Sequence, residues 1–189
     1  MELKQAQTIA MRVMEGFKPH CQRIVIAGSI RRKKPQVKDI ELVCIPKYTM
    51  CDALMPDLFG NTSVVPQQTV TDGFAKEFKQ YYVEKGKPTG KYVKFQTMEC
   101  INVDMFIASP QNWGYILAIR TGSADYSHRV LATGWVKAGY KGGDGMLYKN
   151  GVAIPVLEEE DLFKLIGIDW IAPEKRVRDN EAILKEWFS

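Results

Sequence analysis

The chain has 189 residues, of which 46% are hydrophobic and 25% charged, and its formal net charge is +4. This composition is typical of a globular protein and excludes a disordered or fibrous chain. The length fits one domain or two small subdomains that share a core, and the mild positive charge permits a nucleic-acid partner without arguing for one.

Two further classes are excluded by the residue pattern. No apolar run is long enough to cross a membrane, so we expect an intracellular, cytoplasmic protein. The two histidines and the widely spaced cysteines form no pair with zinc-ligand spacing, and we expect the thiols to be reduced and in or near the core. The cysteines are Cys21, Cys44, Cys51 and Cys100.

The first half of the chain predicts one helix followed by strands. Apolar residues recur at helical spacing over residues 3–17. The β-branched run 23–28, which glycine ends, predicts a buried strand. Residues 37–45 predict a second strand with two acids in an otherwise apolar run. The stretch 46–91 is interrupted by proline and glycine, and it predicts only short pieces of structure.

The second half begins with two strands, 91–98 and 101–108, that a short turn separates. A helix over residues 112–120 follows, and then a second one with Ser123 as its N-cap and Gly139 just past its end. An Asn-Gly turn predicts a hairpin over residues 145–156. Further helices are predicted over 158–167 and 178–188. The fold class predicted is α+β: a mixed sheet with helices on one face (1–109), then a small, mostly helical unit with a hairpin (110–189).

Two features near the first strand are suited to an anion. Gly28-Ser29 follows the strand directly, where backbone N–H groups and a hydroxyl can face a phosphate. The basic run 31–34 comes next, where a triphosphate would need its charge neutralised. Either feature alone is also typical of an ordinary turn or a solvated loop.

Three acids point to metal chemistry. Asp39 and Glu41 are two residues apart on a predicted strand, so their side chains share a face opposite Ile40 and Leu42. Asp104 interrupts another apolar strand. Neighbouring carboxylates repel one another unless a cation lies between them, and a hard divalent ion prefers oxygen ligands. Two such ions, about 3.5–4 Å apart, would serve an in-line phosphoryl displacement.

In chain order the motifs G-S-x-R-R, D-I-E-L, V-D-M-F and T-G-S resemble those of the family X DNA polymerases, the polymerase beta-like nucleotidyltransferases. The similarity extends from about residue 23 to residue 176, and the segment EEEDLFKLIGIDWIAPEKR resembles the end of that family's thumb. The chain is similar to the minimal viral members, which have a palm (here 1–109) and a thumb (110–189). A viral origin would place the protein in host cytoplasm.

The resemblance implies a role for each matching residue. Asp39, Glu41 and Asp104 would hold two Mg²⁺ or Mn²⁺ ions and act in catalysis. The nucleotide would bind Gly28, Ser29, Arg32, Thr121, Gly122, Tyr126 and Ser127. Nucleic acid would bind Lys33, Arg120, Arg129 and Lys137. The expected partners are a nucleoside triphosphate and gapped or nicked DNA, and the expected state is a monomer.

Three positions depart from the family pattern. Glu41 stands where the family usually has aspartate, and Lys38 where it usually has glycine. Ile119-Arg120 replaces the aromatic residues that exclude ribose in the family, so weaker sugar discrimination is expected.

The activity predicted is deoxynucleotide addition to a DNA 3′ hydroxyl, of the gap-filling type. Two alternatives stay open at this point: another acceptor, such as an untemplated 3′ end or tRNA, or an inactive nucleic-acid-binding module of the same fold.

Overall fold

The computed structural model describes residues 1–56 and 62–177. The names palm (1–109) and thumb (110–189) are kept below for the two predicted parts. In chain order the palm contains α1 (Leu3–Phe17), β1 (Cys21–Ile26), α2 (Gly28–Arg31), β2 (Ile40–Pro46), β3 (Tyr48–Pro56), β4 (Thr62–Val70), α3 (Asp72–Glu77), β5 (Tyr82–Gly86), β6 (Tyr92–Gln96) and β7 (Asn102–Ile107). The predicted helix at 178–188 lies outside the described residues.

The palm is built on a mixed five-stranded sheet in the order β1-β2-β7-β6-β5. β2 and β7 are parallel, whereas the other neighbouring pairs are antiparallel. The β6–β7 hairpin is where the sequence predicts it. Parallel pairing puts the starts of β2 and β7, which carry the acids, at the same end of the sheet.

One face of this sheet is the apolar core of the palm. Ile40 and Leu42 of β2 are fully buried there, against Phe17 of α1 and Phe74 of α3. Burying an apolar side chain of this size contributes roughly 1.5–3 kcal/mol. Because successive strand residues point to opposite faces, Glu41 projects from the other side, as predicted.

β3 and β4 form a separate two-stranded antiparallel ribbon outside the main sheet. Most of its side chains are exposed, including Met50 and Leu54. The sequence predicts only short pieces here, and the long paired strands were missed.

The thumb contains α4 (Trp113–Thr121), α5 (Ala124–Tyr126), a π-helical turn (Ser127–Ala132), α6 (Thr133–Lys137), β8 (Lys141–Gly143), β9 (Met146–Lys149), β10 (Val152–Ile154) and α7 (Glu159–Leu165). The Ser123 hydroxyl caps α5 by accepting from the Tyr126 amide at 3.2 Å. Asn150 and Gly151 both have positive φ in the turn between β9 and β10, as an Asn-Gly hairpin requires. β8 adds a third strand that was not predicted.

The thumb has its own apolar core, which includes Leu131, Leu147 and Phe163. A smaller cluster joins the two parts, where Trp113 and Leu117 of α4 pack on Val43 and Ile45 of β2. α4 therefore covers part of the sheet face that carries Glu41, in addition to the helices predicted on the other face. In the described ranges, no helix is long and apolar enough to cross a membrane.

Candidate active site

Two of the three predicted acids face each other across parallel strands. Glu41 of β2 pairs in register with Asp104 of β7, so both project from the same face. Asp39 lies in the bend just before β2, because the strand begins at Ile40 and not at residue 37 as predicted. The bend keeps Asp39 close enough for its charge to act on Glu41. The fold thus gathers three carboxylates at one end of the sheet.

These carboxylates repel one another in the absence of a cation. Burial, together with the charges of Asp39 and Asp104, raises the pKa of Glu41 to about 7. The positive charges of Arg32 and Arg120 act in the opposite direction. A divalent cation would remove the repulsion and favour the ionised carboxylates.

Gly28 packs closely against the side chain of Glu41. Its φ is +60°, and a Cβ at this position would lie 1.7 Å from Glu41 Oε2. No side chain can occupy that space, so glycine is required both by its backbone conformation and by the approach of the carboxylate. The adjacent Ser29 has a buried hydroxyl with no hydrogen-bond partner in the described part of the chain. This unsatisfied group beside the acids is available to a ligand.

An open cleft of about 1000 Å³ leads to the acids. Glu41, Asp104 and Tyr92 lie on its palm wall, and Asn112 and Met146 on its thumb side. The Tyr92 hydroxyl donates a hydrogen bond to Asp104 Oδ1. The role of Tyr92 was missed, because nothing in the sequence links a tyrosine on β6 to an acid on β7.

Arg120 lines this cleft and is exposed to solvent, and its predicted contact with nucleic acid stays a prediction. Its guanidinium stacks on the Phe106 ring, 4.0 Å from the ring centroid. The charge lies close enough to Glu41 to lower that residue's pKa. Arg120 therefore adds a positive charge beside the acids.

Arg32 lies between the acids and the thumb. It donates to the Thr121 carbonyl at 2.6 Å, while its Nε is buried with no partner among the described residues. Burial lowers the pKa of Arg32, and the charges of Glu41 and Asp39 oppose this effect. Arg32 thus has one N–H without a partner for the predicted phosphate contact, although another of its N–H groups joins palm and thumb.

A buried ion network that the sequence does not indicate joins palm and thumb. Arg31 donates to both carboxylate oxygens of Glu159 at 2.8 and 2.6 Å, and Arg176 donates to the same carboxylate at 2.5 Å. Glu159 is 4% exposed and Arg176 fully buried. The acids at 158–161 were interpreted only as a helix start. Glu158 does have that role, since it forms a capping box with Asp161.

Two of the predicted nucleotide contacts are occupied by the protein itself. Thr121 is fully buried, and its hydroxyl accepts from Arg31 at 2.6 Å. Tyr126 is 1% exposed within the thumb core, so its ring cannot stack on a base in this conformation. Burial raises the pKa of Tyr126 to about 12. The contact of these two residues with a nucleotide stays a prediction.

The remaining predicted contacts lie on the thumb or between the two parts. Gly122 packs against Ser127, whose hydroxyl donates to the Ile119 carbonyl at 2.8 Å. Lys33 pairs with Glu174 of the thumb at 2.5 Å, and its side chain is exposed. Arg129 and Lys137 are exposed on the π-helical turn and α6. Their nucleic-acid contacts stay predictions.

The predicted metal ions would need ligands besides the three acids. Within residues 1–56 and 62–177, no group of three His, Cys, Asp or Glu side chains forms a ready-made metal cage. Mg²⁺ is usually held by one or two carboxylates with water and substrate phosphates, and not by protein ligands alone. Asp39, Glu41 and Asp104 provide that kind of open, oxygen-rich edge.

Comparisons with known proteins agree with this architecture. Residues 116–177 match the family model of the DNA polymerase beta thumb. A ternary gap complex of Leishmania infantum polymerase beta superimposes with a TM-score of 0.65, over 93% of this chain and 70% of that one. The chain therefore has a polymerase beta-like fold, and the sequence of its last part is similar to the thumb of that family.

The structural match, at 14% identity, establishes the fold. The family model adds a match in sequence over the thumb residues 116–177. The predicted resemblance and the α+β fold class are confirmed. A search of curated proteins finds no match. The division predicted at residue 110 and the roles of individual site residues stay predictions.

Proposed function

We propose that this polymerase beta-like chain is a two-metal-ion nucleotidyltransferase that adds deoxynucleotides to a DNA 3′ hydroxyl, in gap-filling synthesis. The observation that carries the proposal is the register pairing of Glu41 with Asp104, with Asp39 just before the same strand. Three acids at one end of the sheet are costly without a cation, because like charges in a partly buried site destabilise the fold.

The residues around the acids support a phosphate-bearing substrate. Ser29 offers a buried hydroxyl without a partner, and Arg32 offers a buried N–H without a partner. Both belong to the segment that leads from β1 to the acids. A triphosphate placed there would satisfy both groups, and a guanidinium hydrogen-bonded to phosphate stabilises the charge that develops during transfer.

Each acid has a distinct role in this proposal. Asp39 and Glu41 would hold both cations, whereas Asp104 would hold the cation nearest the primer 3′ hydroxyl. Bound Mg²⁺ or Mn²⁺ supplies charge neutralisation for the triphosphate and lowers the pKa of the attacking hydroxyl. The chain itself then mainly positions the reactants, which is typical of phosphoryl transfer.

The test is nucleotide addition by the purified protein. Labelled deoxynucleotides are offered with DNA carrying a one-nucleotide gap, with single-stranded DNA and with tRNA, each with and without Mg²⁺ or Mn²⁺. Metal-dependent extension confined to the gapped duplex supports the proposal. Preferential extension of single strands or tRNA indicates the other acceptor, and no extension of any substrate indicates the inactive module.

Asp39→Asn separates the roles of the acids. This variant should weaken triphosphate binding as well as activity, because both proposed cation positions lose a ligand. Asp104→Ala should lose activity and retain most nucleotide binding. Nucleotide binding is measured by fluorescence anisotropy of a labelled triphosphate, and equal loss of binding in both variants would contradict this division of roles.

A further inference from the structure

Tyr92 and Asp104 lie on the same face of the sheet, on neighbouring strands. Tyr92 of β6 pairs in register with Phe106 of β7, and Asp104 is two residues before Phe106 on that strand. Such a diagonal neighbour is within reach of a long aromatic side chain. The Tyr92 hydroxyl makes use of this geometry by donating to Asp104 Oδ1.

The direction of this hydrogen bond follows from ordinary side-chain chemistry. A phenol has an O–H to donate, whereas an ionised carboxylate can only accept. An ionised carboxylate has about four lone-pair sites. Oδ1 accepts from Tyr92, and Oδ2 is available for a cation or an attacking hydroxyl.

The ring of Tyr92 packs against the ring of Phe106. Its centroid lies 5.2 Å from that of Phe106, with the two planes inclined by 32°. Arg120 covers the Phe106 ring at 4.0 Å. This stack limits the movement of the phenol, so its hydroxyl presents a fixed donor to the carboxylate.

The basic neighbour of Asp104 is engaged elsewhere. Lys94 stands opposite Asp104 in the β6–β7 register, but its ammonium pairs with Glu84 at 2.6 Å. The contact that orients Asp104 is therefore the neutral phenol. A neutral donor orients a carboxylate without adding a positive charge that would compete with a divalent cation.

We infer that Tyr92 is a positioning residue for Asp104. The hydrogen bond from Tyr92 holds Asp104 Oδ1, so that Asp104 Oδ2 faces the cation nearest the primer hydroxyl. The expected effect on catalysis rests on the proposed function, whereas the expected effect on metal binding does not. Partners that orient metal-binding carboxylates are typically worth about 10–100-fold in metal affinity or activity.

The test is Tyr92→Phe, which removes the hydroxyl and keeps the ring that stacks on Phe106. Mn²⁺ alone is titrated into each protein and followed by electron paramagnetic resonance. Steady-state extension then gives kcat and the nucleotide KM separately. The expected result is roughly tenfold weaker Mn²⁺ binding at the site that Asp104→Ala removes, with a lower kcat and an unchanged nucleotide KM.

Two controls distinguish positioning from a general structural effect. Tyr82→Phe alters an exposed tyrosine on the neighbouring strand β5 and should match wild type in both assays. In the Asp104→Ala background, Tyr92→Phe should cause no further loss of Mn²⁺ affinity, because its effect acts through that carboxylate.

The outcomes separate this inference from the proposed function. Wild-type Mn²⁺ affinity and kcat in Tyr92→Phe would overturn the inference and leave the proposed function intact. A loss shared equally by Tyr82→Phe, or one that persists without Asp104, would also overturn it. If the wild type extends no substrate but Tyr92→Phe still weakens Mn²⁺ binding, the proposed function fails and the positioning of Asp104 is supported.

Discussion

Glu159→Ala tests the buried network that joins palm and thumb. The Glu159 carboxylate accepts three hydrogen bonds, two from Arg31 and one from Arg176. Arg176 is fully buried, and the side chain of Arg31 is 24% exposed. Removing the carboxylate leaves two guanidinium groups close together in a partly dehydrated site without their shared counter-ion. Both the desolvation of the charges and their mutual repulsion then oppose folding.

The expected loss is about 3–5 kcal/mol in the free energy of unfolding, which is the usual cost of removing one partner from a buried ion pair. Domains of this kind are stable by about 5–15 kcal/mol in total. For a chain of this length, each kcal/mol corresponds to about 2–4 °C in Tm. The variant should therefore melt roughly 6–20 °C below wild type.

Urea unfolding followed by circular dichroism measures this loss. Glu160→Ala is the matched control, because Glu160 is the next residue of α7 and is exposed. It should stay within about 0.5 kcal/mol of wild type. A Glu159→Ala protein as stable as Glu160→Ala would refute the view that this network holds the thumb on the palm.

The same network predicts a pH dependence. Burial alone would raise the pKa of Glu159, but hydrogen bonds from Arg31 and Arg176 outweigh burial and lower it. A carboxyl with a lowered pKa stabilises the fold above its unfolded pKa of about 4.3, and this contribution disappears as pH falls through the folded pKa. The stability difference between wild type and Glu159→Gln should therefore shrink in acid. A difference that grows below pH 4 would contradict this assignment.

Four further substitutions probe the acidic site and its surroundings. Gly28→Ala forces a side chain into positive φ and against Glu41, so it should lower the free energy of unfolding by at least about 1 kcal/mol in urea titrations. Arg32→Ala should raise the nucleotide KM and lower kcat by about tenfold or more, whereas Lys33→Ala should alter only DNA affinity and its salt dependence. Unchanged kinetics of Arg32→Ala would show that other residues bind the phosphate. Arg120→Phe should increase the ratio of kcat/KM for deoxy- over ribonucleotides, and strong ribose exclusion that this change leaves unaltered would show that the side chain is not the gate.

Much of the site could be predicted because its signals are local. The alternation of Glu41 with Ile40 and Leu42 depends only on strand geometry, and the burial of the two apolar residues bears it out. Asn150-Gly151 and Ser123 are similarly short-range signals, whose backbone conformation and cap are found where expected.

What could not be predicted depends on contacts between distant residues. Arg31 and Glu159 are 128 positions apart, so the network becomes visible only when the thumb lies on the palm. The burial of Thr121 beside Arg31 also depends on that packing, whereas Tyr126 is buried in the core of the thumb, and the local motif shows neither. Local sequence likewise gave no sign that residues 48–56 pair with residues 62–70, because proline weakens the strand pattern there.

The central claim is that the acids at the start of β2 and β7 perform metal-dependent nucleotide addition. The measurement that tests it most directly is extension of gapped DNA by wild type, Asp104→Ala and the exposed-acid control Asp52→Ala, with and without Mg²⁺ or Mn²⁺. The account predicts extension by wild type and Asp52→Ala only when the cation is present, and none by Asp104→Ala, with all three proteins equally folded. Extension by purified Asp104→Ala at a rate near that of wild type would contradict it.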